Sequence, residues 1–193
     1  MSSSFFIKSI TVAIGGTILE SKFAPSSTCS DCKRRLSALT PLILLGTGFW
    51  ITMHGMVVGQ ARSKAIEDAK ADGETDVEER YALPNLYAQG TSRHVKRFNA
   101  VQRSHQHIFE TLPQVMLSSM VAAMEYPCMA AVSTLIWAAG RISFTKAYAA
   151  CEGDVSKRYS NPLARYMWYG MLMNYFVGMI VCVKSFATKS IKN

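Results

Sequence analysis

Arg97-Phe-Asn-Ala-Val-Gln-Arg103-Ser-His-Gln-His107-Ile-Phe-Glu110-Thr-Leu-Pro-Gln114 runs without a break into the apolar stretch Val115 to Met124. Arg103, His107, Glu110 and Gln114 follow one another at intervals of four, three and four, so a helix of 3.6 residues per turn stacks them on one face. A polar face on a membrane-grade segment is costly unless it meets a partner or a wet cavity, and such a face marks a functional site. The competing reading is a polar network inside a helix bundle that fixes packing alone.

Working outward, the apolar residues collect in long runs: Leu39 to Val58, Val115 to Ala139 with an interruption at Glu125-Tyr-Pro127, and Met167 to Val183. Proline lacks the amide hydrogen that a continuous helix would use, so the middle run reads as two helices joined at Tyr126-Pro127. Each helix then has about 20 residues, enough to cross about 30 Å of hydrocarbon. The expectation is an all-α, integral membrane four-helix bundle over residues 40–186. It carries an N-terminal extension, 1–39, and a basic tail, 187–193.

The net charge of +8 does not point to nucleic acid, because no basic patch interleaved with aromatic residues lies outside the apolar runs. The partner implied is the lipid bilayer. Of the 21 Lys and Arg, thirteen fall in the connections Arg62 to Arg103 and Arg141 to Arg165. That bias turns both connections to the cytosol or matrix and both termini to the opposite side, although Lys33-Arg34-Arg35 pulls the other way. Five cysteines scattered along the chain describe no disulfide framework. Cys29 and Cys32 form a lone C-x-x-C that lacks two ligands of a structural zinc site, and no metal is expected.

Residues 2–19 contain a short apolar run interrupted by Lys8 and Ser9, which suits a targeting segment or an interfacial helix. Thr40-Pro41 reads as a helix cap followed by proline at the first helical position. His54 stands alone in that helix as a packing hydrogen-bond donor, and Arg62 lies at its boundary, able to snorkel or to reach a bound anion. Lys64 to Arg80 reads as a solvated excursion, and Tyr81 to Tyr87 as a return with interfacial aromatic residues. The second helix is the opening stretch, kinked by Pro113. The third, about Pro127 to Ala150, carries Arg141, Thr145 and Tyr148 on one face. The fourth runs from Leu163 to Phe186, its Met and aromatic residues suited to packing.

This topology brings Arg62, Arg103, Arg141, Lys157 and Arg158 towards one interface, with His107, Glu110 and Tyr148 slightly deeper. Guanidinium forks bind carboxylates in bidentate fashion, and Glu110 can take an ammonium group. A small acidic peptide carrying an amine fits that charge pattern.

The spacing Tyr81-x-x-Pro84-x-x-Tyr87, then Phe98-Asn-x-x-Gln-Arg103-x-His-Gln106 with Glu110 and Pro113, then Gly140-Arg141 through Tyr148 to Ser156-Lys157-Arg158, resembles the MAPEG family. The resemblance implies a homotrimer of four-helix subunits in the endoplasmic reticulum or mitochondrial membrane. It implies glutathione as co-substrate, bound between subunits, and a lipophilic small-molecule substrate arriving from the bilayer. By position, Arg103 and Glu110 look like glutathione ligands, with His107 beside them. Tyr148 looks like the second tyrosine of helix three, and Arg62 like an arginine supplied by a neighbouring subunit. The arginine that stabilises the thiolate falls in the loop after helix three, with Arg158 first and Lys157 second. A thiol of reference pKa about 8.5 is mostly protonated at neutral pH, and a guanidinium beside it favours the nucleophilic thiolate. Three positions depart from the family pattern: His107 replaces a usual Asn, Thr111 a frequent Tyr, and Phe144 the first tyrosine of helix three. These departures imply the rival reading, a non-catalytic structural or lipid-binding subunit of a larger membrane complex.

Overall fold

The computed structural model describes residues 3–23, 35–82 and 84–190, and no strand occurs among them. Cys29, Cys32 and the pair Lys33-Arg34 lie outside the described residues. In chain order the helices are α1 (Ser3–Phe23), α2 (Leu39–Ala71), α3 (Val77–Tyr81), α4 (Arg93–Phe109), α5 (Leu112–Glu125), α6 (Pro127–Ala149) and α7 (Tyr166–Ser190). Two 3-10 segments, Val155–Tyr159 and Pro162–Arg165, precede α7. The all-α expectation holds. Among the described residues three stretches are long and apolar enough to cross a membrane, namely Arg35–Ala71, Pro127–Ala149 and Pro162–Ala187.

The fourth expected span differs. The chain leaves helical hydrogen bonding at Glu110 and Thr111, so the single kinked helix foreseen around Pro113 is two helices, α4 and α5. Pro113 sits in the first turn of α5, where its missing N–H would have had no intrahelical acceptor anyway. The break therefore falls ahead of the proline, and Gln114 belongs to α5, separated from the Arg103, His107 and Glu110 face of α4.

The described residues divide into two compact units. One holds residues 3–23, 35–47, 111–140 and 166–190, and the other 48–82, 84–110 and 141–165. In the first, α7 packs on α5 and on α1. Small residues make these approaches close. A Cβ on Gly178 would lie 3.1 Å from the Ser118 carbonyl oxygen, and one on Gly170 would run into the backbone of Trp137 and Ser133. Asn174, fully buried, accepts from the Ser133 hydroxyl at 2.8 Å and donates to the Thr134 hydroxyl at 3.3 Å. Ala13, Ala122, Tyr126, Ala130, Val177 and Val181 fill the space between the helices. Thr40 is no cap: α2 begins before it, and its buried hydroxyl has no hydrogen-bond partner among the described residues.

In the second unit, α2 continues to Ala71, well past the expected end near Arg62. Ala65 and Ala69 are buried with Val58, Val77, Tyr81, Val95 and Phe98, so the supposed solvated excursion supplies part of a core. Charge alone concealed this, because the buried positions are small alanines four apart. The helix closes with Gly73 at φ +75°, where Gly73 N–H donates to Lys70 and Glu74 N–H to Ala69, the left-handed ending that favours glycine. Tyr81, expected at an interface, is fully buried. The Asn99 side chain then pins the return segment by hydrogen bonds of 2.9 Å to both the N–H and the C=O of Ala88.

Candidate functional site

Helix α4 starts at a sequence signal. The Ser92 hydroxyl accepts from the Val95 N–H at 3.3 Å, satisfying one of the donors left open at a helix start. Val95, Phe98 and Gln102 are buried, which leaves Arg103 to run along a different stripe with residues four and seven further on. Arg103 and Glu110, two turns apart, form an ion pair. Between them the His107 Nε2 lies 3.9 Å from a Glu110 oxygen. The Arg103 and Glu110 side chains are 37% and 49% exposed, so a ligand can reach both.

Behind this stripe lies Arg141, with no exposed surface. One of its guanidinium nitrogens is 2.6 Å from His107 Nδ1 and 3.4 Å from the His107 carbonyl oxygen, and two others lie 3.4 Å from the Thr145 hydroxyl. The same guanidinium stands 4.7 Å over the Phe144 ring. Phe144 is the hub of an aromatic group, meeting His107 at 5.0 Å, Tyr148 at 5.7 Å and Tyr159 at 5.2 Å between ring centroids. A buried cation in a weakly polar setting acts on nearby charge more strongly than a solvated one. The paired Arg103 and Glu110 offer a carboxylate fork and an ammonium acceptor at the edge of that field.

The remaining expected residues stand apart. Arg62 donates to the Tyr81 carbonyl and stacks 4.6 Å over the Phe98 ring, so here it ties α2 to the end of α3 and to α4. Lys157, exposed, is 3.6 Å from the Asp154 carboxylate. Arg158, also exposed, lies 5.5 Å from the ring of Tyr159, which joins it through that ring to Phe144. The Asp154 carboxylate accepts from the Ser156 hydroxyl at 2.6 Å and the Ser156 N–H at 3.2 Å, shaping the 3-10 turn that carries both cations. Those bonds from Ser156 hold the Asp154 carboxyl below its usual range.

Two relationships escaped the sequence reading. Tyr159 carries no signal in the sequence beyond its place directly after a basic pair. His54, read as solitary, has its Nδ1 3.2 Å from His105 Nδ1 with the rings stacked at 5.3 Å. One ring must donate and the other accept, and the partner comes from a helix 51 positions later, beyond the reach of any local spacing rule.

No curated protein and no solved structure matches the chain. A family model does: that of the MAPEG family matches residues 40–183, covering α2 through most of α7. By that match, and with apolar helices of spanning length, the chain is an integral membrane protein that belongs to the MAPEG family.

Proposed function

We propose that this protein is a membrane glutathione transferase or peroxidase, most like microsomal glutathione S-transferase 3 within its family. The observation that carries the reading is the reachable Arg103–Glu110 pair backed by buried Arg141 through His107. A zwitterionic, carboxylate-rich tripeptide can exchange into that pair, with Arg103 taking a carboxylate and Glu110 the ammonium. Tyr148 lines the same group of rings. On this proposal the working assembly is a homotrimer in the endoplasmic reticulum or mitochondrial membrane, with Arg62 serving a neighbouring subunit.

Arg158 is assigned the thiolate, with Lys157 second because Asp154 already draws on its charge. Arg158 is exposed on a short turn that Asp154 and Ser156 set, where it can fold over a bound thiol. Loss of the thiol proton to solvent gives the nucleophile. In conjugation a C–S bond forms at the electrophilic carbon as the leaving bond breaks. In peroxide reduction the sulfur takes the distal oxygen, the alcohol leaves, and a second glutathione displaces water to form the disulfide. The lipophilic partner arrives along the bilayer.

A second reading, a non-catalytic subunit of a larger membrane complex, is favoured by Phe144 standing where a tyrosine is expected and by the fact that Arg103 and Glu110 already satisfy each other. Turnover of glutathione with a lipophilic electrophile or hydroperoxide by the detergent-solubilised protein separates the two. The transferase reading expects turnover that falls in Arg158→Ser. No turnover, together with stable copurification in a larger assembly, supports the second reading.

A further inference from the structure

Helix α1 precedes the matched family region, and nothing in the proposed chemistry uses it. It has 21 residues, a length of about 30 Å, which is the thickness of a hydrocarbon core. The polar groups in its middle are accounted for. The Ser9, Thr11 and Thr17 hydroxyls donate to carbonyls three or four residues back in the same helix, at 3.0, 2.9 and 2.9 Å. The Glu20 carboxylate accepts from the Cys128 and Met129 N–H groups, both at 2.9 Å, and so caps α6. Lys8 lies near the helix start, where a long side chain can reach the headgroups.

Three ties fix its direction. At one end the Phe5 ring meets Tyr169 at 4.0 Å, one turn into α7. In the middle, Ser9, Ala13 and Thr17 are buried at intervals of four, a seam of small residues that allows close helix contact. Towards the other end, Ile14, Thr17 and Ile18 share a groove of about 430 Å³ with Ile180 and Tyr126, and Glu20 reaches the start of α6. Phe5 lies beside Tyr169, and residues 14–18 lie beside Ile180, so α1 runs parallel to α7 over its length. Ile7, Val12, Ile14, Ile18 and Leu19 face outward and are exposed. The outward surface is mostly apolar, with Lys8 and Thr11 exposed along it and Ser21 and Lys22 at its end, and small residues point in; this is not the broad charged face that a helix lying flat in the headgroups needs.

We propose that Ser3–Phe23, though not among the three stretches named above, is a further membrane-spanning helix, resident in the folded protein with its outer face on acyl chains, so that the start of α1 and the end of α7 lie on opposite membrane faces. This replaces the expectation that both termini share one side. It also sharpens the charge bias: Lys8 joins the thirteen cations of the two long connections, making fourteen against seven.

The test is protease protection in sealed membrane vesicles, using full chains tagged ahead of residue 1, after Gly153 or at the C-terminus. The first two tags should share one fate and the C-terminal tag the opposite one. An N-terminal tag that shares the fate of the C-terminal tag, or that is lost from the mature protein, overturns the proposal. A second measurement avoids inserting a tag into a loop. Phe5→Cys with Tyr169→Cys should cross-link within one chain, and Phe5→Cys with Ile180→Cys should not, and the reverse pattern also overturns it. Neither readout involves glutathione, so this helix and the proposed activity stand or fall separately.

Discussion

His107 Nδ1 lies 2.6 Å from a guanidinium nitrogen of Arg141. A guanidinium can only donate, so this ring nitrogen must accept, and the ring proton must sit on Nε2, the atom facing Glu110 at 3.9 Å. An asparagine can offer the same pairing, its carbonyl oxygen to the arginine and its amide N–H to the carboxylate. Histidine in place of the asparagine that the resemblance implies thus keeps the acceptor that Arg141 meets and leaves an N–H facing Glu110.

His107→Asn should therefore keep the fold and the site. His107→Leu removes an acceptor from a buried cation and should lower stability by about 3 kcal/mol. Thermal unfolding of the detergent-solubilised variants reads this. Equal stability of the two would mean that the contact contributes nothing to holding Arg141.

Arg158 should act on the thiol rather than on affinity. If its guanidinium favours the thiolate as proposed, Arg158→Ser should raise the pKa of bound glutathione, lowering turnover at neutral pH and restoring it as pH rises. A shift of two units corresponds to about 2.7 kcal/mol, or about a hundredfold in thiolate at pH well below the pKa. Lys157→Ser should do less. A pH–rate profile of each variant checks the order, and an unchanged profile for Arg158→Ser removes it from the role.

The turn carrying those cations should loosen in acid. Bonds from Ser156 lower the Asp154 carboxyl, so it binds its proton less readily in the folded chain than when unfolded. Its contribution is present above the unfolded value and is lost as pH falls through the lower, folded one. Hydrogen exchange at residues 156–159 should quicken over that acid range, and Asp154→Ala should show the quick exchange already at neutral pH. Exchange in Asp154→Ala no faster than in the parent would contradict this.

Helix periodicity made Arg103, His107 and Glu110 legible as one stripe, because α-helical spacing is a local rule that a buried or ligand-bound state does not alter. Arg141 and Tyr148 were likewise readable from their helix. The end of that stripe is not, since Gln114 lies beyond a break at Glu110 and Thr111, where the sequence signals a kink at the proline. The alanines of α2 past Arg62 were hidden among charges, and His105 reached His54 across a tertiary contact. In the last two, long-range packing decides what local pattern cannot; in the first, a proline suits the start of a helix as well as a kink within one. The N-terminal run failed for a related reason: its buried seam is made of Ser, Ala and Thr, which read as weakly polar until a neighbouring helix is in view.

The central claim is that Arg103 and Glu110 hold a zwitterionic thiol peptide. Calorimetric titration of the detergent-solubilised protein with glutathione tests it most directly. Saturable binding is expected, weakened in Arg103→Ala by about 10- to 100-fold, the loss of a charge-assisted hydrogen bond worth roughly 1.5–3 kcal/mol. Absence of heat from the parent protein, or identical binding by parent and variant, would contradict the account.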